Sequence, residues 1–253
     1  MQQPQLEPMS VGRILDVAFG LYRALFAPLL IVTLVTAAVP QAVSVYIEAA
    51  GGTFEHFGLF LANLTLNVVL GSIGTAASTI IVAEHYVGKA ITAGEAFHRA
   101  APFMGRVIAA AVLSTLLMGF GLLLLVIPGV IAIAGLAVTT PALVVEDLDS
   151  ALGAMGRSWS LTRGHRLRIL RALGTVVVVM TLPIFALGGY AATRLTAEGT
   201  VGTEGVALGA LAALLSALVQ PMFYCVLTVA YYDLRIRKEA YDLELRAASM
   251  AGA

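Results

Sequence analysis

The sequence predicts an all-α integral membrane protein with six membrane-spanning helices and three amphipathic helices on one face. Three observations carry that class. Apolar residues make up 59% of the 253 and charged residues 12%, about half the ~25% charge of soluble domains, and the mean hydropathy is +0.92. Six long apolar stretches divide the chain, most of them close to the ~20 residues that cross a ~30 Å hydrocarbon core as a helix. Of the fifteen Lys and Arg residues, only Arg194 falls in the alternate set of connections. The others lie in the N-terminal segment, the 84–106 and 146–171 connections and the C-terminal tail. Cation-rich connections stay in the cytoplasm, so both termini are expected there.

The chain opens without the basic region and early apolar core of a cleaved signal, so the first span is expected to persist. Ser10 then caps an amphipathic segment, 10–26. Arg13, Asp16, Gly20 and Arg23 share one of its faces; Val11, Ile14, Leu15, Ala18, Leu21, Tyr22 and Leu25 share the other. Spans follow at Pro28–Tyr46 and Phe57–Ala83. Thr92-Ala-Gly-Glu95 is a capping box: the Thr hydroxyl accepts an N3 amide and the Glu reaches back. It starts a second interfacial helix, 92–101, with Ala93, Ala96, Phe97 and Ala100 opposite Glu95, His98 and Arg99, closed by Pro102. Spans three and four, Val107–Ile127 and Val130–Val145, are separated by Pro128-Gly129, a tight turn by composition. They form a hairpin that either crosses fully or re-enters. Thr139-Thr140-Pro141 interrupts the fourth.

Asp149-Ser150 opens a third interfacial helix, 150–163, with Leu152, Met155 and Trp159 as its apolar stripe and Gly164 as its C′ residue; Leu161 falls off the stripe. Spans five and six are Ala172–Tyr190 and Val206–Tyr231, and the sixth runs on into a helical tail, 232–247. Opposite charges recur there at i, i+4: Asp233–Arg237, Arg235–Glu239, Lys238–Asp242 and Asp242–Arg246. Such a ladder supports an exposed helix, and Leu234, Tyr241 and Leu245 offer one face for docking on the cytoplasmic helices or on a partner protein. Tyr86, Tyr190, Tyr231 and Tyr232 stand at span ends as headgroup anchors. The opposite connections, 47–56 and 191–205, are short and carry Glu48, Glu55, Glu198 and Glu204.

Ser10, Thr92 and Ser150 each introduce an amphipathic helix followed by two spans. Two readings fit: three parallel helix-plus-hairpin repeats in one domain spanning 1–253, or three independent loops that each hold a capped helix.

Chemistry-bearing residues are few. No Asp, Glu, Lys or Arg lies inside a span, which weakens ion-coupled transport and intramembrane hydrolysis. The intramembrane polar candidates are Asn63, Asn67 and Gln220; packing is one role for them and lining a substrate path the other. Gln220-Pro221 reads as a structural kink. His56, His85, His98 and His165 are scattered, with Glu84-His85 the one close acid–imidazole pair, so no metal, cofactor or catalytic constellation is expected. Cys225 is the single cysteine. Zero formal net charge argues against a nucleic-acid partner. The densest cations, Arg157, Arg163, Arg166, Arg168 and Arg171 around Trp159, fix orientation. Arg157, Trp159, Arg163, Arg166 and Arg168 are also candidates for binding anionic lipid headgroups at about 1 kcal/mol per cation.

The tail Tyr231-Tyr-Asp-Leu-Arg-Ile-Arg-Lys-Glu-Ala-Tyr-Asp-Leu-Glu244 resembles the closing motif of a bacterial polytopic family, the glycerophosphoryl diester phosphodiesterase membrane domain. Ser10-Val-Gly-Arg-Ile-Leu-Asp-Val-Ala-Phe-Gly-Leu-Tyr-Arg23 is similar to its opening, Ile127-Pro-Gly129 to its central turn, and Ala151–Gly164 to its third cytoplasmic helix. The resemblance covers Ser10 to Arg246 and implies a multi-pass protein of a bacterial plasma membrane. The family's label comes from proteins that fuse such a region to a phosphodiesterase domain. No second domain and no diesterase cluster of His, Glu and Asp accompanies the resemblance here, and it implies no catalytic residues. The first expectation is therefore a non-enzymatic protein that organises lipids or partner proteins from its cytoplasmic face. The others are a channel or transporter component for a small or lipid-like substrate, and, on the family label alone, a phospholipid-diester enzyme.

Overall fold

A computed structural model describes residues 8–50, 52–86, 88–197 and 203–239, and among them every regular element is a helix. The order is α1 (Val11–Ala24), α2 (Phe26–Ala49), α3 (Phe57–Tyr86), α4 (Ala93–Ala100), α5 (Met104–Leu124), α6 (Val126–Leu136), α7 (Thr139–Val145), α8 (Ala151–Thr162), α9 (Arg166–Val176), α10 (Leu182–Ala197) and α11 (Thr203–Glu239). Six stretches are long and apolar enough to cross a membrane: Phe26–Ile47, Phe57–Tyr86, Ala93–Leu124, Val126–Val145, Arg166–Tyr190 and Ala207–Glu239. The protein is an all-α polytopic membrane protein. The tail residues Tyr241, Asp242, Leu245 and Arg246, and Glu198 of the last outer connection, lie outside the described residues.

The three capping signals form as the sequence predicts. Ser10, Thr92 and Ser150 all have extended backbone, and each side-chain oxygen accepts the amide of the third residue on, Arg13, Glu95 and Gly153. Thr92 completes its box, its own N–H donating to Glu95 Oε2 at 2.8 Å. Gly164 sits at φ +87° after α8, the left-handed position a C′ glycine serves. In α1 the buried positions are Ile14 and Ala18, on the expected face.

The helices close into a ring. Each hairpin packs within itself, α2 with α3, α5 with α6 and α10 with α11. The last span of each unit then meets the first span of the next: α3 meets α5, α6 meets α9, and α11 meets α2. The capped helices follow the same rotation, α4 on α3, α8 on α6 and α7, and α1 on α11. The α1–α11 contact joins the two ends of the chain and completes the cycle on what is termed here the basic face.

Four details differ from the sequence reading. The turn between α5 and α6 is at Leu125 (φ −158°, ψ 135°), and Pro128-Gly129 lies inside the first turn of α6. There Pro128 removes one of the amides that a helix start leaves without a partner. A Cβ on Gly129 would stand 2.6 Å from Leu122 N, so glycine is what lets α5 and α6 approach. Second, α8 presents the opposite face. Ala151, Ala154, Ser158, Leu161 and Thr162 are buried, while Leu152 points out and Trp159 sits at the boundary, 37% exposed. Small residues allow close helix contact in a membrane protein, and the edge of the Trp159 ring lies over Gly135, leaving no room for a Cβ there.

Third, Tyr231 and Tyr232 are buried and Tyr86 packs against Tyr232, ring centroids 4.8 Å apart. Only Tyr190 of the four proposed anchors is exposed. Fourth, the described part of the tail is docked. Leu234 (1% exposed) joins Val138, Ala142, Leu161, Ile169, Tyr231 and Tyr232 in a core under the basic face. Span four breaks between Leu136 and Thr139 as expected, and span five contains a π-helical segment, Val177–Thr181, that the sequence reading did not foresee.

Candidate functional site

The arginines that look like one cationic cluster in sequence separate into two groups in space. Arg157, on the inner side of α8, grips Glu239 through both terminal nitrogens, with Nη2 donating to Oε2 at 2.8 Å, and its Nε donates to Glu146 Oε2 at 2.7 Å. Glu146 also accepts the Tyr231 hydroxyl at 2.8 Å, and Arg235 reaches Glu239 at 3.2 Å. The Glu239 carboxylate, followed by Glu146, holds the Arg157 guanidinium above even its usual high range. Arg157 is therefore bound within the protein.

A second network surrounds Asp233, which is 1% exposed. Asp233 Oδ1 accepts the Met9 amide at 2.7 Å, and Oδ2 accepts Arg237 Nε at 3.0 Å. Arg168 Nε lies 3.2 Å from the same Oδ2 as an ion pair, without hydrogen-bond geometry. Arg237 Nη2 returns to Met9 O at 2.8 Å. Both backbone groups of Met9 are thus clamped to α11, which holds α1 in the ring. His165, at the start of α9, is pushed below its ordinary value by burial and then by Arg237, Lys238 and Arg168. Of the sequence neighbours Glu84 and His85, Glu84 forms an ion pair with Arg99 at 2.7 Å.

What remains on the surface is a mixed patch on α8 and α9. The Arg166 guanidinium stacks 4.0 Å from the centre of the Trp159 ring. Along α8, α9 and the turn between them Leu152 is 70% exposed and Leu167 62%, and Arg163 and Arg171 are also exposed. Of the five headgroup candidates, Trp159, Arg163 and Arg166 share this patch, and Arg157 and Arg168 face inward.

The intramembrane polar candidates also separate. Asn63 is buried against α2, its Nδ2 donating to Ser44 Oγ at 2.9 Å. Asn67 and Gln220 instead line one partly open cavity of about 570 Å³ between α2, α3, α10 and α11. Five residues that the sequence reading missed contribute further hydroxyls and an amide: Thr36, Gln41, Ser44, Thr181 and Ser216. Apolar walls come from residues such as Ile184, Phe185 and Phe223. Among the described residues, no lining side chain is an ionisable Asp, Glu, Lys, Arg or His.

Three departures from regular α-helix border the cavity. Pro40 in α2 withholds the amide that would bond Thr36 O, and Pro221 in α11 withholds the one for Ala217 O, since proline has no N–H. The π segment ends at Thr181, whose buried hydroxyl oxygen has no hydrogen-bond partner. Near Pro221 the Tyr22 hydroxyl donates to Leu218 O at 2.9 Å. A signal was available in the sequence, because Pro40-Gln41 and Gln220-Pro221 put a proline beside a glutamine in two spans. On the basic-face side of the lining positions in α2 and α11, Leu29, Val32, Met222 and Val226 are buried in the core, each at most 4% exposed.

The fold and these two regions define a helical, multi-pass membrane protein with an ion-paired basic face and an uncharged internal cavity. The chain belongs to the family described as Domain of unknown function (DUF7847), whose model matches residues 4–234. No curated protein and no solved structure matches it.

Proposed function

We propose that this protein is a non-enzymatic component of a bacterial plasma membrane, with its basic face in the cytoplasm, where it gathers anionic lipid headgroups. The observation that carries the reading is the α8–α9 patch. Trp159 with Arg166 over its ring, exposed Leu152 and Leu167, and Arg163 and Arg171 alongside match what a headgroup boundary favours: apolar and aromatic groups in the acyl region and cations at phosphate depth. The cation bias of the connections supports the orientation, and the resemblance of the tail motif supports the bacterial setting. A partner protein at the tail beyond Glu239 fits the same reading.

The test reconstitutes the protein in mixed phosphatidylcholine–phosphatidylglycerol nanodiscs and measures the phosphatidylglycerol retained on purification. Three cations near the surface, at about 1 kcal/mol each before screening, predict a drop of roughly tenfold or more in preference for the Arg163→Gln, Arg166→Gln, Arg171→Gln triple variant. Unchanged enrichment in a correctly folded triple variant refutes the lipid role.

The transporter reading draws support from the cavity. A conduit also needs an opening toward the basic face, where Leu29, Val32, Met222 and Val226 are packed in the core. The cavity favours a binding pocket over a passage.

A further inference from the structure

The cavity between α2, α3, α10 and α11 has the character of a ligand site. Its polar groups come from four helices, and its walls carry seven amide or hydroxyl side chains: Thr36, Gln41, Ser44, Asn67, Thr181, Ser216 and Gln220. Thr36, Asn67 and Ser216 each donate to a carbonyl of their own helix, and Ser44 accepts from Asn63, which leaves an oxygen on Thr36, Asn67 and Ser216 able to accept from a ligand. The Thr181 hydroxyl oxygen is buried with no partner at all. The π segment that ends at Thr181 and the two prolines beside Gln41 and Gln220 all fall on this cavity, and π-helical segments concentrate at functional sites. About 570 Å³ lies within the range of pockets that hold small organic ligands.

The walls also select a chemical class. With no ionisable Asp, Glu, Lys, Arg or His among the described lining residues, a charged ligand would be buried against them without a counter-charge, which is costly. Access is lateral: α10 packs along α11 and meets α2 at few points, and Phe185, a lining residue, is 71% exposed beside that seam. We infer that the cavity binds an uncharged amphiphile of the diacylglycerol class, which enters from the bilayer between α2 and α10. Its hydroxyl and ester oxygens meet Gln41, Asn67, Thr181 and Gln220, and its chains remain in lipid. The site is distinct from the headgroup patch on α8 and α9 and does not depend on it.

The experiment uses the full chain in phosphatidylcholine nanodiscs doped at equal mole fraction with dioleoylglycerol or dioleoylphosphatidylglycerol, read by native mass spectrometry. Gly71 and Gly209 line the cavity, and a Cβ on either meets nothing within 4 Å, so Gly71→Phe and Gly209→Phe fill it without striking its walls at the Cβ. Expected results are a 1:1 dioleoylglycerol adduct in the native protein and its loss in both filled variants, with elution on size exclusion unchanged. Should either filled variant misfold, Gln220→Leu keeps the volume and removes one hydrogen-bonding group. It is expected to weaken the adduct about five- to tenfold. Equal dioleoylglycerol binding in the filled variants or in Gln220→Leu, no adduct in the native protein, or preference for the phosphatidylglycerol, overturns the assignment.

Discussion

Asp233→Asn separates two accounts of the tail by magnitude. If residues 232–239 formed an exposed helix with i, i+4 pairs, neutralising one aspartate would cost about 0.3–0.5 kcal/mol, the worth of a surface helix pair. In the structure Asp233 is 1% exposed and serves three partners: the Met9 amide at 2.7 Å, Arg237 at 3.0 Å and Arg168 at 3.2 Å. Asparagine keeps the shape and can still accept from Met9, so the amide contact largely survives. What disappears is the charge that neutralises two guanidiniums, themselves only 21% and 23% exposed. Removing one partner of a fully buried pair costs about 3–5 kcal/mol, and the partial exposure of the arginines lowers the expectation to about 3 kcal/mol. For a chain of this size that is roughly 6–12 °C in Tm. The assay is thermal unfolding of the protein in one fixed detergent, with limited proteolysis of the N-terminal segment as a second readout, because Met9 is held by Asp233 and Arg237. A Tm within 2 °C of the native protein's, with unaltered cleavage, refutes the docked tail.

Gly129→Ala is expected to destabilise by about 1–3 kcal/mol, as overpacking does, because its Cβ would lie 2.6 Å from Leu122 N. Gly119→Ala on α5, where a Cβ meets nothing within 4 Å, should instead stabilise by about 0.5–1 kcal/mol; parallel thermal melts compare the two. His165 supplies a pH dependence. Its pKa is depressed below 6.5 in the folded protein, so below that value the unfolded chain binds a proton that the folded state resists. Stability is full above pH 6.5 and is lost as pH falls from there toward the folded pKa. His165→Gln should show a smaller fall in Tm than the native protein between pH 7 and pH 5.5.

Features governed by short-range physics were legible in the sequence. A bilayer leaves a spanning chain no option but internal backbone hydrogen bonds, so apolar length alone located the spans. Caps are equally local: Ser10, Thr92 and Ser150 each needed only the amide three residues away. Inference failed where hydrophobicity was used to say which side faces in. On α8 the bulky Leu152 faces out and Trp159 is left at the edge, while Ala151, Ala154 and Ser158 are buried in the contact. Lipid accepts a leucine as readily as a protein interior does, so in such a chain small residues mark the buried side. The tyrosines misled for a related reason, since Tyr231 sends its hydroxyl to Glu146, far away in sequence. The cavity was half legible. Asn67 and Gln220 were marked, but joining them to Gln41 and Thr181 required knowing that α2 and α3, early in the chain, enclose a space with α10 and α11.

The cyclic order of contacts explains why the cavity lies where it does. Three junctions link successive units: α3 to α5, α6 to α9 and α11 to α2. At the first, α3 is reinforced by α7, which packs on it as well. At the second, the α6 side carries α8, with Trp159 pressed over Gly135 and the Ser158 hydroxyl donating to Gly135 O at 2.8 Å. The third closes the ring between the two ends of the sequence and holds both prolines within its spans, Pro40 in α2 and Pro221 in α11. On the basic face α1 is tied to α11 by Met9, Asp233 and Arg237, and beside Pro221 by Tyr22 donating to Leu218 O. On the opposite side α10 meets α2 at few points, and the cavity lies between them. The ion pairs and the cavity are thus two ends of one seam. Loosening the first, as in Asp233→Asn, is expected to change occupancy of the second, although Asp233 is not among the cavity's lining residues.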